Sequence, residues 1–150
     1  MEHSVMVDVK MHECFPTMIS EFSYHPDKLS QKQMVEYIKL AKKNNNSHAP
    51  HTHSNNFLSG VYYLEAGENT SNIQFFDPRL QASVLQPRNN SNRMNSSMLQ
   101  FNSIKGFGYI FPSWLQHWVP TTTEERISIS WNIILRGDYG ESGTLQNARI

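Results

Sequence analysis

The sequence predicts a mainly β domain, a sandwich or barrel preceded by one or two helices, and three observations support this. Most of the chain after residue 51 consists of short segments rich in β-branched and aromatic residues, separated by turn formers. Only one stretch before them has helical periodicity. The chain has 150 residues, of which 38% are hydrophobic and 11% aromatic, so it fits one domain (1–150) with its own core.

The predicted elements follow in a simple order along the chain. Residues 5–9 place valine at every second position, which predicts a first strand. Residues 30–43 predict a helix, because Ser30 and Gln33 form a capping-box pattern and apolar residues follow at helical spacing. Further strands are predicted over 57–64, 72–76, 108–111 and 127–135. The chain then divides into an N-terminal strand and helix, a β core and a loosely held tail, over 1–50, 51–136 and 137–150.

Charge and cysteine content exclude several classes of protein. Thirteen basic residues balance thirteen acidic ones without a block of like charge, so nucleic acid and anionic membranes are disfavoured as partners. Cys14 is the only cysteine, which excludes an intrachain disulfide and a cysteine-based zinc site. The N-terminus has no apolar segment typical of a signal peptide, and no apolar run reaches membrane-spanning length. We therefore expect a cytoplasmic protein without membrane contact.

Two histidine-bearing segments are candidates for a metal site. His51 and His53 are separated by one residue, so in an extended segment both imidazoles point to the same side and can reach one ion. His117 follows a predicted strand among large apolar residues, and a buried imidazole must be hydrogen-bonded or ligated. The alternatives are a solvated loop for the first pair, and for His117 a core histidine bonded to a carbonyl oxygen.

A row of polar residues marks the last predicted strand. Arg126, Ser128, Ser130 and Asn132 alternate with apolar residues. On a half-exposed sheet this row faces water, whereas in a small barrel it lines a cavity in which the arginine can hold a carboxylate. A His-x-His, a strand with two tyrosines, a distant histidine and an arginine nine residues after it have the order of a non-haem iron(II) oxygenase site.

Candidate substrate contacts come from two other places. Residues 87–97 are rich in asparagine and serine and predict a long loop, of the kind that is either functional or disordered. Arg88 and Arg93 in this loop are candidate contacts, as is Trp114 near His117. Core packing is the alternative role for the tryptophan.

Five segments together resemble the 2-oxoglutarate and Fe(II)-dependent oxygenases, close to the prolyl-hydroxylase group. They are HTH, LSGVYYL, DPR, FPSWLQHWVP and ERISISWN, at 51–53, 58–64, 77–79, 111–120 and 125–132. The resemblance covers roughly the C-terminal two thirds of the chain, and it is specific because several motifs occur in order.

The resemblance implies a fold, a chemistry and a set of residues. The fold is a double-stranded β-helix, or jelly roll, and the activity is oxidative decarboxylation of 2-oxoglutarate by dioxygen, coupled to hydroxylation of an unknown substrate. His51 and His117 are implied as iron ligands, and no catalytic residue is implied beyond the metal ligands. Arg126 and Tyr63 are implied to hold the distal carboxylate of 2-oxoglutarate, with Ser128 as a further cofactor-binding residue.

One residue departs from the family pattern. Where the superfamily usually has aspartate or glutamate, this chain has His53. We expect His53 to ligate the metal in its place, which leaves the charge of the ion uncompensated and raises its redox potential. Asp77 is the nearest alternative carboxylate, but Pro78 follows it and favours a turn there.

Three other interpretations stay open. A cupin-type metal protein also uses His-x-His, and its second motif is similar to the spacing of Gly106, Pro112 and His117, but 54–60 lacks the expected glutamate and Trp114 replaces a glycine. The second interpretation is a non-catalytic relative of the oxygenases, and the third is a purely structural β-sandwich. The shortness of the chain also suggests a homodimer that covers exposed strand edges.

Overall fold

The computed structural model describes residues 7–14, 17–25, 32, 47–79, 92–122 and 124–150, and these residues form eleven β-strands. The strands are β1 (Val7–Cys14), β2 (Thr17–Tyr24), β3 (His48–His51), β4 (Leu58–Ala66), β5 (Ile73–Phe76), β6 (Met98–Phe101), β7 (Phe107–Pro112), β8 (His117–Val119), β9 (Arg126–Ile133), β10 (Asp138–Tyr139) and β11 (Ala148–Arg149). The helix predicted over 30–43, and with it any flanking N-terminal helix, lies outside the described residues apart from Lys32.

Two antiparallel sheets form the body of the domain. The larger has the strand order β1-β2-β7-β4-β9, and the smaller has the order β3-β8-β5-β6. From β3 to β9 the chain repeatedly passes between the sheets, since β4, β7 and β9 belong to the larger one and the intervening strands to the smaller. This winding is that of a double-stranded β-helix, so the predicted fold is confirmed.

The main core lies between the two sheets, and β4 shows how the sequence builds it. Val61 and Tyr63 point into this core, where they meet aromatic residues of the smaller sheet such as Phe75. Because side chains alternate along a strand, Tyr62 and Leu64 point to the other face and pack in a second cluster. This interior strand of the larger sheet is therefore apolar on both faces.

The pairing of β4 with β9 determines where the polar row points. Ser128 stands opposite Tyr63 and Ser130 opposite Val61, and directly opposed residues of an antiparallel pair lie on the same face of the sheet. A bulge between Tyr63 and Glu65 shifts the register beyond that point. The polar row of β9 thus lies on the face of the sheet that carries the main core.

A close approach between these two strands requires a glycine. The indole of Trp131 in β9 lies across Gly60 in β4, and a Cβ at this position would overlap the ring atoms. Any larger residue must displace the tryptophan from the second cluster, against which it packs.

The N-terminal region holds more strand than the sequence predicted. Residues 5 and 6 of the strand predicted over 5–9 lie outside the described residues, and the strand described there, Val7–Cys14, pairs along its whole length with β2, which was not predicted. In β1 the apolar Val9 and Met11 are 58% and 53% exposed while His12 and Cys14 on the other face are buried, so apolar alternation does not mark the buried side of this strand. The small sheet begins at His48, slightly before the predicted start of the core. In the described part of the chain, no helix has the length and apolar character needed to cross a bilayer.

The C-terminal tail forms a small hairpin that the sequence did not predict. Strands β10 and β11 pair, and Gly137 and Ile150 exchange two backbone hydrogen bonds of 2.8 and 2.9 Å. Nearly all side chains beyond residue 136 are exposed, so the hairpin is held by its own backbone pairing rather than by burial.

Candidate metal centre

Three histidines from two distant segments bring their ring nitrogens together. One ligand nitrogen of each of His51, His53 and His117 lies within 4.8 Å of the other two. The Nε2 atoms of His53 and His117, residues 64 positions apart, are separated by 3.3 Å. Within the described residues this is the one cluster of three side chains that can hold a metal ion.

Strand pairing places these histidines. His51 at the end of β3 stands directly opposite His117 at the start of β8, and Phe75 of β5 flanks His117 on the other side. His53 lies beyond the end of β3, where its backbone N–H donates to the carbonyl of Ser113 at 2.9 Å. The segment after β3 therefore stays close enough to β8 for both imidazoles of the His-x-His to reach His117.

A hydrogen bond to a nearby backbone carbonyl orients each of two of the three rings. His51 Nδ1 donates to the carbonyl of Ala49 at 2.7 Å, and His117 Nδ1 donates to the carbonyl of Leu115 at 2.9 Å. In each case the acceptor lies two residues before the histidine. A proton held on Nδ1 leaves the Nε2 lone pair free for a metal, which is how backbone carbonyls fix ligand histidines in metal sites.

Burial favours the neutral form of the His117 imidazole. His117 is 4% exposed, and this burial, reinforced by the neighbouring histidines, lowers its pKa to about 4. The pKa values of His48 and His53 are also lowered, first by burial and then by the charge of His51. Metal ligands must be deprotonated, so at neutral pH this environment favours the form that can bind an ion.

The donor set fits a divalent transition-metal ion. Because His117 Nδ1 is occupied by a carbonyl, its Nε2 presents a lone pair to the Nε2 of His53. An ion placed between the rings would accept both lone pairs. No carboxylate joins the cluster among the described residues. Imidazole donors suit iron, cobalt, zinc, nickel and copper, and they suit calcium and magnesium poorly.

Asp77, the alternative carboxylate, is engaged elsewhere. Its Oδ1 accepts the backbone N–H of Arg79 at 2.8 Å, and its Oδ2 lies 2.6 Å from the guanidinium of the same residue. The hydrogen bond from Arg79 lowers the pKa of Asp77. Asp77 thus begins a turn, and the structure does not bring it to the histidines.

Arg126 and Tyr63 lie near each other on the inner side of the larger sheet. Arg126 Nη1 donates to the carbonyl of Ser71 at 3.0 Å, and burial lowers the pKa of its guanidinium. The Tyr63 hydroxyl is buried and has no hydrogen-bond partner among the described residues. Burial raises the pKa of Tyr63, while the nearby Ser103 hydroxyl and Arg126 oppose the rise. The Ser103 hydroxyl donates a hydrogen bond to the backbone carbonyl of Ser71, at 2.9 Å.

The remaining predicted cofactor and substrate residues are dispersed. Ser128 is exposed opposite Tyr63. Trp114 is 55% exposed and directly follows the residue whose carbonyl holds His53. Arg88 lies outside the described residues. Arg93 hydrogen-bonds His12 Nδ1 and lies over the ring of Phe101, at 5.7 Å from the ring centroid. The contact of these residues with a substrate stays a prediction.

The groups that orient the histidines were not predictable from residue types. The carbonyls of Ala49 and Leu115 belong to the backbone and have no signature in residue type. Two buried serines behind the cluster, Ser59 and Ser113, lie inside the quoted motifs but have no distinguishing feature there.

Comparison with known proteins agrees with this geometry. A protein-family model described as "Putative 2OG-Fe(II) oxygenase" matches residues 37–132, well over half of the chain. The matched range includes the three histidines, Tyr63 and Arg126. None of the functionally curated proteins matches the chain. The chain therefore belongs to the 2-oxoglutarate and Fe(II) oxygenase family.

Proposed function

We propose that this protein is an Fe(II)- and 2-oxoglutarate-dependent dioxygenase that hydroxylates a second substrate. The convergence of the His51, His53 and His117 ring nitrogens, inside the fold of this family, is the observation that supports the proposal. Iron(II) held there would couple oxidative decarboxylation of 2-oxoglutarate by dioxygen to hydroxylation of the substrate.

The protein contributes first a rigid set of ligands. The carbonyls of Ala49 and Leu115 hold the rings of His51 and His117 with Nε2 available, so two ligands need little reorganisation. His53 is the third ligand in the place of the usual carboxylate. Three protein ligands leave coordination positions open for the 2-oxo acid and dioxygen.

The second contribution is a clamp for a carboxylate. Arg126 uses one N–H for the Ser71 carbonyl, and a guanidinium has five N–H donors, so others remain for a ligand. A carboxylate beside Arg126 would also give the buried Tyr63 hydroxyl an acceptor, which it lacks among the described residues. The distal carboxylate of 2-oxoglutarate is the group that this pair would bind.

The third contribution is an apolar surface of aromatic rings beside the ligands. Phe111 is 2% exposed and meets His117 edge-on, with 4.6 Å between ring centroids. Phe75 covers the same imidazole from the neighbouring strand, at 5.9 Å. These rings exclude water from one side of the metal and strengthen its interactions with charged groups.

Anaerobic binding of 2-oxoglutarate tests the proposal. Iron(II) protein should develop a weak visible charge-transfer band when 2-oxoglutarate is added, because the oxo acid chelates the metal. Arg126→Ala should bind iron unchanged but require much more 2-oxoglutarate to saturate the band, whereas Arg136→Ala, at an exposed position, should match the wild type. A wild-type protein that binds iron without giving the band would refute the proposal.

A non-catalytic relative that binds metal and 2-oxoglutarate without turnover is the second candidate. The absence of a carboxylate from the described cluster favours it, since the ion then keeps its full charge. Succinate formation by iron-loaded protein in air, without added substrate, distinguishes the two. Succinate above the level given by His117→Gln supports the dioxygenase, and equal levels support the non-catalytic relative.

A further inference from the structure

A chain of three hydrogen-bonded side chains lies behind the histidine cluster. Ser59 Oγ lies 2.7 Å from Ser113 Oγ and 2.7 Å from Asn132 Oδ1. Ser59 is 1% exposed and Ser113 is fully buried, so neither hydroxyl has bulk water as an alternative partner. The three residues come from β4, the turn after β7, and β9, and each lies in a different one of the quoted motifs.

The direction of these hydrogen bonds follows from the groups involved. The amide oxygen of Asn132 can only accept, so Ser59 donates to it. A hydroxyl has a single proton, which means that Ser113 must donate to Ser59. The hydrogen bonds therefore run from Ser113 through Ser59 to Asn132, and removal of the middle member leaves the fully buried Ser113 hydroxyl without its acceptor.

Ser113 is the residue where the two ligand-bearing segments meet. Its carbonyl accepts the backbone N–H of His53 at 2.9 Å, and its own N–H donates to the carbonyl of Phe57 at 3.1 Å. Two residues later, the Leu115 carbonyl holds His117 Nδ1. A shift of the turn at Ser113 would therefore move the anchors of His53 and His117 together.

We infer that Ser59 and Asn132 are positioning residues for the metal centre and that they act through Ser113. The side chain of Ser113 is bonded to Ser59 in β4 and through it to Asn132 in β9, while its backbone and the following turn hold two ligands. The inference rests on the proposed function, because it requires that the histidines bind a metal. The hydrogen-bonded row Ser113–Ser59–Asn132 determines the separation of the His53 and His117 Nε2 atoms without contacting the ion.

Cobalt(II) binding to metal-free protein tests the inference. Ser59→Ala and Asn132→Ala should each weaken cobalt(II) binding by roughly tenfold and change the visible spectrum of the saturated protein, because the ligand geometry is altered. The double variant should bind no more weakly than Ser59→Ala, since both changes break one chain. Asn132→Asp keeps an acceptor for Ser59 and should retain the wild-type spectrum.

Ser130→Ala is the matched control. Ser130 lies on the same strand and the same face as Asn132, is exposed, and stands opposite Val61 outside the chain. This variant should bind cobalt(II) as the wild type does. The thermal midpoint of each metal-free variant separates loss of folding from loss of geometry, and Asn132→Ala, at an exposed position, carries the test if Ser59→Ala does not fold.

The possible failures are distinguishable. If wild-type protein binds cobalt(II) and the folded variants match it in dissociation constant and spectrum, the positioning role is wrong. Additive effects of the two alanine substitutions would also overturn it, because the residues would then act separately. If the wild type does not bind cobalt(II), the proposed metal centre itself fails.

Discussion

Two buried histidines, His12 and His117, have nearly the same exposure, 3% and 4%, but opposite surroundings. His12 lies between charged groups: its Nδ1 contacts the guanidinium of Arg93, and its Nε2 lies 3.4 Å from a carboxylate oxygen of Glu21. His117 gives one nitrogen to a backbone carbonyl and turns the other toward His53.

Two buried tyrosines repeat this contrast. Tyr63 and Tyr109 are each 1% exposed. The Tyr109 hydroxyl donates to the carbonyl of Asn102 at 2.7 Å, while the Tyr63 hydroxyl has no partner among the described residues. Burial alone therefore does not distinguish a structural polar residue from a binding residue. For the tyrosines the difference lies in whether the hydroxyl has a hydrogen-bond partner among the described residues, and for the histidines in whether Nε2 faces a carboxylate or another imidazole.

The largest expected effect concerns metal affinity. His117→Gln removes a ring nitrogen from the cluster and should weaken binding of iron(II) or cobalt(II) on the order of a hundredfold or more, beyond the loss expected for an indirect partner. His12→Gln should leave the affinity unchanged, because both nitrogens of His12 face charged protein groups. Anaerobic calorimetric titration of metal-free protein measures both. Equal losses in the two variants would remove the distinction between the two histidines.

The contrast between Tyr63 and Tyr109 predicts a smaller effect, on the affinity for 2-oxoglutarate. Tyr63→Phe should weaken 2-oxoglutarate binding to the iron(II) protein by roughly tenfold, the value of one hydrogen bond to a charged group. Tyr109→Phe should not change it. The effects on the stability of metal-free protein should be the opposite. Tyr109→Phe leaves the Asn102 carbonyl unsatisfied and should lower the free energy of unfolding by about 1 kcal/mol. Tyr63→Phe should not lower it. Titration of the charge-transfer band with 2-oxoglutarate measures the affinity, and urea unfolding measures the free energy of unfolding.

Removal of the structural histidine should reduce stability. His12→Leu takes the imidazole from between Arg93 and Glu21 and should lower the free energy of unfolding by about 1–3 kcal/mol. Urea unfolding of metal-free protein, followed by circular dichroism, gives this value. Lys10→Ala on the same strand, at an exposed position, is the control. An unchanged midpoint for His12→Leu would mean that the contacts of His12 with Arg93 and Glu21 have no net stabilising effect.

The smallest expected effect is a pH dependence of stability. The pKa of His117 lies at about 4 in the folded protein against an ordinary value of 6.5, mainly because of burial. Between these values the unfolded chain binds a proton that the folded protein does not, so stability is lost as the pH falls below 6.5. This histidine should contribute a loss of about 0.7 kcal/mol between pH 7 and pH 6 in metal-free protein. His117→Gln should show a correspondingly smaller loss in parallel urea titrations.

Strands β4, β5, β7 and β9 were predictable because burial imposes a visible pattern on their sequences. The predicted ranges 57–64, 72–76, 108–111 and 127–135 each lie within two residues of an observed strand at both ends. The short strands β3, β6 and β8 and the hairpin partner β2 were not predicted. Their sequences mix polar and apolar residues, and they gain their conformation from pairing with neighbours rather than from a buried face.

The histidine cluster was predictable from the order of its motifs, but its support was not. Ser59 and Asn132 lie 73 positions apart, and only the register of β4 with β9 brings them together. The carbonyls that orient His51 and His117 depend on backbone geometry at the strand ends. Residue types in order can thus indicate the candidate ligands, while the groups that orient them depend on how the strands pair.

The all-imidazole donor set has a consequence for handling the protein. Nitrogen donors bind divalent first-row metals with an affinity that rises from manganese through iron, cobalt and nickel to copper, and no carboxylate in the described cluster shifts this preference toward iron. The metal supply during expression and purification will then decide the occupant. Protein isolated on nickel-charged resin is expected to carry nickel, so chelation and anaerobic reloading with iron must precede any assay of turnover.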